Sequence, residues 1–566
     1  MKNKLIVLLA SASIALVACG GGEQPVESAE PTATTAAEDV TQQITEEYIR
    51  EVIIELSGDD YEGRGPATQG DLMTREYIIK QMQDIGLQPG AEDGGWEQPF
   101  QMVSVDTLPL EQEWTFEKDG SSVSFEYYED FTMNGDNQTA TPGVENAELV
   151  FAGYGIQAPE FGWDDYKNID VTGKVVVLMN NDPDWDPELF AGETRLWYGR
   201  WDYKFLTAAK NGAAGAIIIH TIPSAGYPFQ VLQTSNIGPQ MELSVGDEAR
   251  MQFKSFMTED GVKELVALAG KDLDELRELA YNSDFEPVPL GITTSLTLDV
   301  AVNSVTTANV LGYLEGSDPV LKDEFVIYTA HHDHLGIGPP NEDGDTIYNG
   351  AMDNASGVGQ ILAMAKAFKA LPEGHRRSVM FLFVGAEEQG LLGSKWYAAN
   401  PTVSPGKIAA NLNYDGGNLH GRTHDIVYIG FGKTSIDDLV IEYAAEQGRV
   451  VKPDQFADRG YFYRSDQFSF ARIGVPAMYL DPGTDYVDRP PEWGRQVVEE
   501  YTSNHYHQPS DEYDPNWNLE GMIDDAKIGF WTGLAIANSD EMPTWNEGDE
   551  FEAARLKSLK ALEEEQ

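Results

Sequence analysis

After about Leu296 the chain alternates short, almost wholly apolar runs with stretches of helical spacing: DEFVIYTA, GQILAMAKAFKAL, RRSVMFLFVGA, LLGSKWYAA and IAANLNYD follow one another. A strand with no polar face cannot lie on a solvated sheet, so both of its faces must be covered. Strands of that kind separated by helices argue for an α/β fold, a three-layer sandwich around a mostly parallel central sheet. Open sheets of this class gather their sites beyond the carboxyl ends of their strands. That is where this sequence places its polar concentrations.

At 566 residues the chain exceeds one ordinary core, and two or three domains are expected. It opens with MKNKLIVLLASASIALVACGGG, in which two lysines precede an apolar run too short to span a membrane, the pattern of an export signal. The LVACG stretch resembles a bacterial lipobox. Residues 1–19 are therefore expected to be a lipoprotein signal peptide with Cys19 lipidated, a plain secretory signal being the alternative. Gly20 after the cysteine favours the outer membrane, so the protein is expected to be exported and lipid-anchored in the cell envelope, facing periplasm or exterior. Cys19 is the single cysteine, so no disulfide can form within the chain. Residues 20–42, rich in Gly, Glu, Pro, Ala and Thr, read as a flexible tether.

Beyond the tether, residues 43–145 read as the first part of a larger domain, beginning with two helices separated by SGDDYEGRGPATQG. Residues 146–291, with buried strands at KVVVLM and GAIIIH, read as a mainly β unit inserted into it. Residues 292–540 carry the remainder, and 541–566 form an acidic tail with a helix. The net charge of −56 repels phosphate backbones and anionic membranes, which excludes nucleic acid as a partner and leaves membrane contact to the lipid anchor alone. Solubility in a saline habitat accounts for such charge, as does a patch for a basic substrate.

Five of the nine histidines fall in two short stretches, TAHHDHLG (329–336) and NHYHQPSDEY (504–513). A histidine at a strand end is as often a hydrogen-bonded loop residue as a ligand, but a metal-bound imidazole commonly gives its second N–H to a carboxylate, and Asp333 stands two residues from His331. NGAMDNASGVG (349–359) puts Asp353 in a small-residue turn before a helix, either a cap or a carboxylate able to bridge two ions. In FLFVGAEEQG two adjacent glutamates follow an apolar strand. They complement a helix dipole, or they divide labour, one holding metal while the other moves a proton. Asp415 ends the strand in NLNYDGGN.

Taken together, His331-x-Asp333, GAMDNASG (350–357), Glu387-Glu388, Asn413-Tyr414-Asp415 and YHQPSD (506–511) resemble the co-catalytic zinc peptidases of the aminopeptidase Y and glutamate carboxypeptidase group. Ser465-Asp466 and the early YEGRGPATQG have the same family character, and residues 151–220 resemble the protease-associated domain inserted in such enzymes. The resemblance implies the zinc exopeptidase fold and two Zn2+ per chain. It implies that His331 and Asp415 hold one ion, Glu388 and His507 the other, with Asp353 bridging. Asp333 would orient His331, Glu387 would be the general base toward a metal-held hydroxide, and Tyr506 would either bond the developing oxyanion or simply pack. The implied substrate is a peptide trimmed from its N-terminus. A carboxypeptidase, which needs arginines for a substrate carboxylate, is the alternative, with glutaminyl cyclisation and a non-catalytic receptor behind it. Three departures stay open: Met352 stands where the family often has a second aspartate, His332 and His334 crowd the first motif, and His505 competes with His507. The residue holding the substrate terminus, the side-chain preference and the oligomeric state are not legible.

Overall fold

The computed structural model describes residues 40–110, 112–187, 189–236, 238–244 and 249–565. The signal peptide, Cys19 and nearly all of the tether lie outside the described residues. Among those described, no helix is long and apolar enough to cross a membrane.

Two sheets organise the chain. The main one runs in the order Pro239–Leu243, Glu97–Thr107, Val300–Leu314, Ser378–Val384, Phe325–His331, Ile408–Asn413, Ala477–Asp481, Asp425–Ile429, Val450–Pro453. Its four middle strands from Ser378–Val384 to Ala477–Asp481 are parallel, but those on the Val300 side pair antiparallel, as does Ala477–Asp481 with Asp425–Ile429. The expectation of a mostly parallel sheet is thus corrected to a mixed one. Parallel neighbours need a covering crossover, which the helices Ser356–Lys369 and Leu392–Ala399 supply between the central strands. Glu97–Thr107 and Val300–Leu314 are joined through the second sheet instead and are free to pair antiparallel.

Alternation along the central strands covers both faces. Val379, Phe381 and Phe383 share a core with Tyr328, Ile361, Phe368 and Phe530, whereas Met380, Leu382 and Val384 share another with Ile327, Tyr397 and Phe470. Three layers result. The helix Ser356–Lys369 is buried on nearly every side because the helices Glu46–Leu56 and Glu520–Asn538 pack on its outer surface, which is why its sequence is apolar all round. Thr45 and Thr68 cap the two first helices, Glu46–Leu56 and Gln69–Ile85, by accepting backbone N–H bonds from Tyr48 and Asp71.

The second sheet has eight strands, from Trp114–Lys118 through Val288–Thr297, around a core of Trp114, Phe116, Phe151, Val175, Val177, Ile217 and Phe253. Its first strand lies before residue 146, because Trp114–Lys118 and Phe131–Gly135 pair with Val288–Thr297 and Phe253–Thr258. Pro239–Leu243 leaves this sequence region to become an edge strand of the main sheet. At the other end, helix Glu552–Glu565 docks on the body: Arg555 donates to the carbonyls of Pro405 and Ile408.

Candidate metal centre

The parallel register aligns the strand ends. His331 pairs with Val384 and Thr329 with Asn413, so His331, the Glu387-Glu388 turn and Asp415 emerge on one edge. Asp353 joins them from the turn preceding the buried helix, and His507 from the loop after Trp493–Asn504. That turn requires glycine at 350: its φ is +57°, and a Cβ there would lie 2.2 Å from the Asp353 carbonyl oxygen.

The side chains converge. His331 Nε2 is 3.1 Å from Asp415 Oδ1, 3.2 Å from Asp353 Oδ1 and 3.9 Å from Glu387 Oε2. The other Asp353 oxygen lies 3.6 Å from His507 Nε2, which is 2.9 Å from Glu388 Oε2. Ligand atoms of His331, Glu387 and Asp415, and likewise those of His331, Asp353 and Glu388, lie within 4.8 Å of one another. Four carboxylates and two imidazoles thus meet with no Lys or Arg ion pair among them.

The electrostatics express that crowding. Burial, opposed in part by His331 and reinforced by Asp415 and Glu388, pushes Glu387 well above the ordinary carboxyl range. Glu388 goes the other way: against burial and the Asp353 charge, His507 and His334 draw it down to about 2. His507 rises to about 9, since Glu388 and Asp353 outweigh its burial. His507 Nε2 is buried and, though 2.9 Å from Glu388 Oε2, has no well-formed hydrogen bond, so one ring nitrogen faces the carboxylate cluster. Imidazole nitrogen beside hard carboxylate oxygens is the donor set of a zinc site, and the residues present fit such an ion.

The outer contacts differ from the sequence expectation. Asp333 does not orient His331 through its carboxylate, which stands 3.9 Å from Nδ1; its backbone carbonyl lies 3.2 Å from that nitrogen instead. The fully buried carboxylate accepts the backbone N–H groups of Glu387 and Glu388, at 3.0 and 3.3 Å, and so orders the turn that carries both glutamates. The Tyr506 ring stacks on His507 with centroids 3.9 Å apart, while its hydroxyl accepts from Arg464 Nη2 at 3.3 Å. His505 pairs with Glu500 and Ser510 away from the cluster, and His332 bonds Asp71.

Sequence reasoning gave four contributors no role. His334 Nδ1 lies 2.6 Å from Glu388 Oε1. Asp511 accepts the backbone N–H groups of Met352 and Asp353. Arg64, from the glycine-rich loop between the first helices, is buried and donates to the carbonyls of Leu56, His332, Asn349 and Gly350. Ser235 Oγ stands 2.8 Å from His507 Nδ1. The crowding of the first motif signalled His334, and Asp511 and Arg64 lie in the YHQPSD and YEGRGPATQG stretches, but no local pattern marks Ser235. Beside the cluster opens a cavity of about 430 Å³, bordered by Glu387, Asp415, Tyr479, Asp481, Tyr501 and Tyr506.

A probable leucine aminopeptidase 2 of Aspergillus oryzae is 28% identical over 260 residues, covering 44% of this chain and 48% of that protein. Aminopeptidase YwaD of Bacillus subtilis is 33% identical over 97 residues, 17% of this chain and 18% of that protein. The chain thus spans about half the length of the first of these relatives and less of the second. An aminopeptidase from Aneurinibacillus sp. strain AM-1 superposes with a TM-score of 0.53, covering 89% of this chain and 97% of that one at 18% identity. That likeness shows a shared fold. Residues 309–530, the stretch that carries His331, Asp353, Glu387, Glu388, Asp415 and His507, match the model of Peptidase family M28.

Proposed function

We propose that this protein is a dinuclear zinc exopeptidase that removes N-terminal residues from peptides. The reading is carried by Asp353, whose two oxygens face different imidazoles, His331 on one side and His507 on the other. His331 and Asp415 would hold one ion, Glu388 and His507 the second, and Asp353 both. Bound zinc supplies a water of lowered pKa and polarises the scissile carbonyl.

The chain's own residues do the rest. Glu387, buried and beside the cluster, takes the proton of the attacking water and returns it to the leaving amine. Because the Tyr506 hydroxyl accepts from Arg464, its own proton is free to be donated to the oxyanion of the tetrahedral intermediate. Asp333 holds the two glutamates in register through their backbone N–H groups. Among the described residues Arg464 is the one Lys or Arg bordering that cavity, where it donates to the Tyr506 hydroxyl and lies over the faces of Tyr227 and Tyr461. The curated relatives from Aspergillus oryzae and Bacillus subtilis that this chain resembles are named aminopeptidases, which supports the aminopeptidase over the carboxypeptidase.

The test is N-terminal release from short peptides with free or acetylated amines, before and after chelation and zinc return. Cleavage that needs both a free amine and zinc is the expected result; C-terminal shortening of acetylated peptides overturns it in favour of the carboxypeptidase. Export and lipidation at Cys19 complete the proposal, and labelled fatty acid should enter the wild-type chain but not Cys19→Ser.

A further inference from the structure

His507 is steadied from outside the layer that carries the other ligands. With Nε2 offered to a cation, a neutral imidazole carries its proton on Nδ1 and needs an acceptor there, and that outer bond fixes tautomer and ring direction. The atom facing Nδ1 is Ser235 Oγ at 2.8 Å, 272 positions away in sequence. Ser235 ends the helix Phe229–Ser235, which lies between strands of the second sheet in the sequence. The same helix makes two more bonds to this loop, Gln230 with Gln508 at 3.2 Å and Gln508 with Thr234 at 3.4 Å. Tyr227, just before it, faces the Tyr506 ring with centroids 6.5 Å apart.

The loop does not hold this geometry by local preference. His507 has a φ of +57°, a region that few non-glycine residues enter without support. His331 needs no such help, since its Nδ1 is met by the carbonyl of Asp333 two residues on.

We propose that Ser235 is a positioning residue for the His507 metal position, so that the inserted unit completes the metal centre and its docking is linked to metal binding. The proposal rests on the dinuclear reading above. Linkage is reciprocal: if the docked helix raises affinity at this position, the ion in turn holds the helix Phe229–Ser235 against the loop.

The experiment needs no turnover. Apoprotein is titrated with zinc against a competing chelator for wild type, Ser235→Ala and Ser235→Thr, and hydrogen exchange of residues 229–235 is followed with and without zinc. Loss of such an outer bond lowers metal affinity roughly 10- to 100-fold. Ser235→Ala should show that loss at one of two sites with the other unchanged, Ser235→Thr should restore it, and zinc should slow exchange of the helix in wild type. Wild-type affinity at both sites in Ser235→Ala, or helix exchange indifferent to zinc in wild type, overturns the proposal while leaving the dinuclear reading standing. A wild-type chain that takes up no second ion overturns both.

Discussion

His331 and His507 present the same nitrogen to the same aspartate, yet they are built in opposite ways. His331 ends a strand with parallel neighbours on both sides, is 1% exposed, and has its outer nitrogen met two residues away. His507 sits in a loop at a left-handed backbone angle, with its outer nitrogen met by a helix from another sequence region. One half of the centre is fixed by the sheet, and the other by an assembly of two parts. The first half should therefore survive perturbations that dissolve the second, since local opening runs through the least supported segments.

The comparison can be broken most severely at the residue common to both halves. Asp353→Ala removes the oxygens facing each imidazole, so zinc content should fall at both positions and peptide hydrolysis should drop to background; retention of one tight ion would show that the halves are independent. Next in size is Glu387→Gln, which leaves the ligands in place. Its kcat should fall roughly 10²- to 10⁴-fold, the range of a lost general base, with zinc content by elemental analysis unchanged. Asp333→Asn sharpens the contrast differently. Its carboxylate serves the glutamate turn, so kcat should fall while zinc affinity on the His331 side, measured by chelator competition, holds. Loss of that affinity would return Asp333 to the orienting role its spacing suggests.

A smaller effect separates the halves by pH. His220, buried at the end of its strand, lies 3.1 Å from the Tyr227 carbonyl through Nε2, and burial holds it down to about 4 from an ordinary 6.5. Between those values the unfolded chain binds the extra proton. The stabilisation is therefore complete above about pH 6.5 and is lost as pH falls toward 4, by on the order of 3 kcal/mol in all. Because Tyr227 leads into the helix that supports His507, mild acid should raise hydrogen exchange at 227–235 before it does so at 325–331. His220→Gln should flatten that dependence.

The central strands and their sites were legible because burial on both faces leaves a continuous apolar run, and because a strand that ends in His331, Glu387 or Asp415 puts chemistry where an α/β sheet gathers it. The antiparallel strands of the main sheet were harder to see. Val300–Leu314 pairs with Glu97–Thr107 across an intervening unit, and no local periodicity records a partner so far away. The inner residues were legible for the same reason that their supports were not. In a chain with a single cysteine a zinc ligand is drawn from His, Asp and Glu, whereas Ser235 and Arg64 act through one hydroxyl and a set of backbone carbonyls, and their residue types are common everywhere. Asp333 shows the limit most clearly, since its spacing suggested a carboxylate behind His331, but the chain turns so that its carbonyl takes that place.

The most direct measurement is activity followed along a zinc titration of the apoprotein, with Asp353→Ala beside wild type. Release of N-terminal residues that becomes full only as a second ion binds, together with an Asp353→Ala chain that binds neither ion tightly and stays inactive, is the expected result. Full activity at one ion per chain, or in Asp353→Ala, would contradict a centre built around that shared carboxylate.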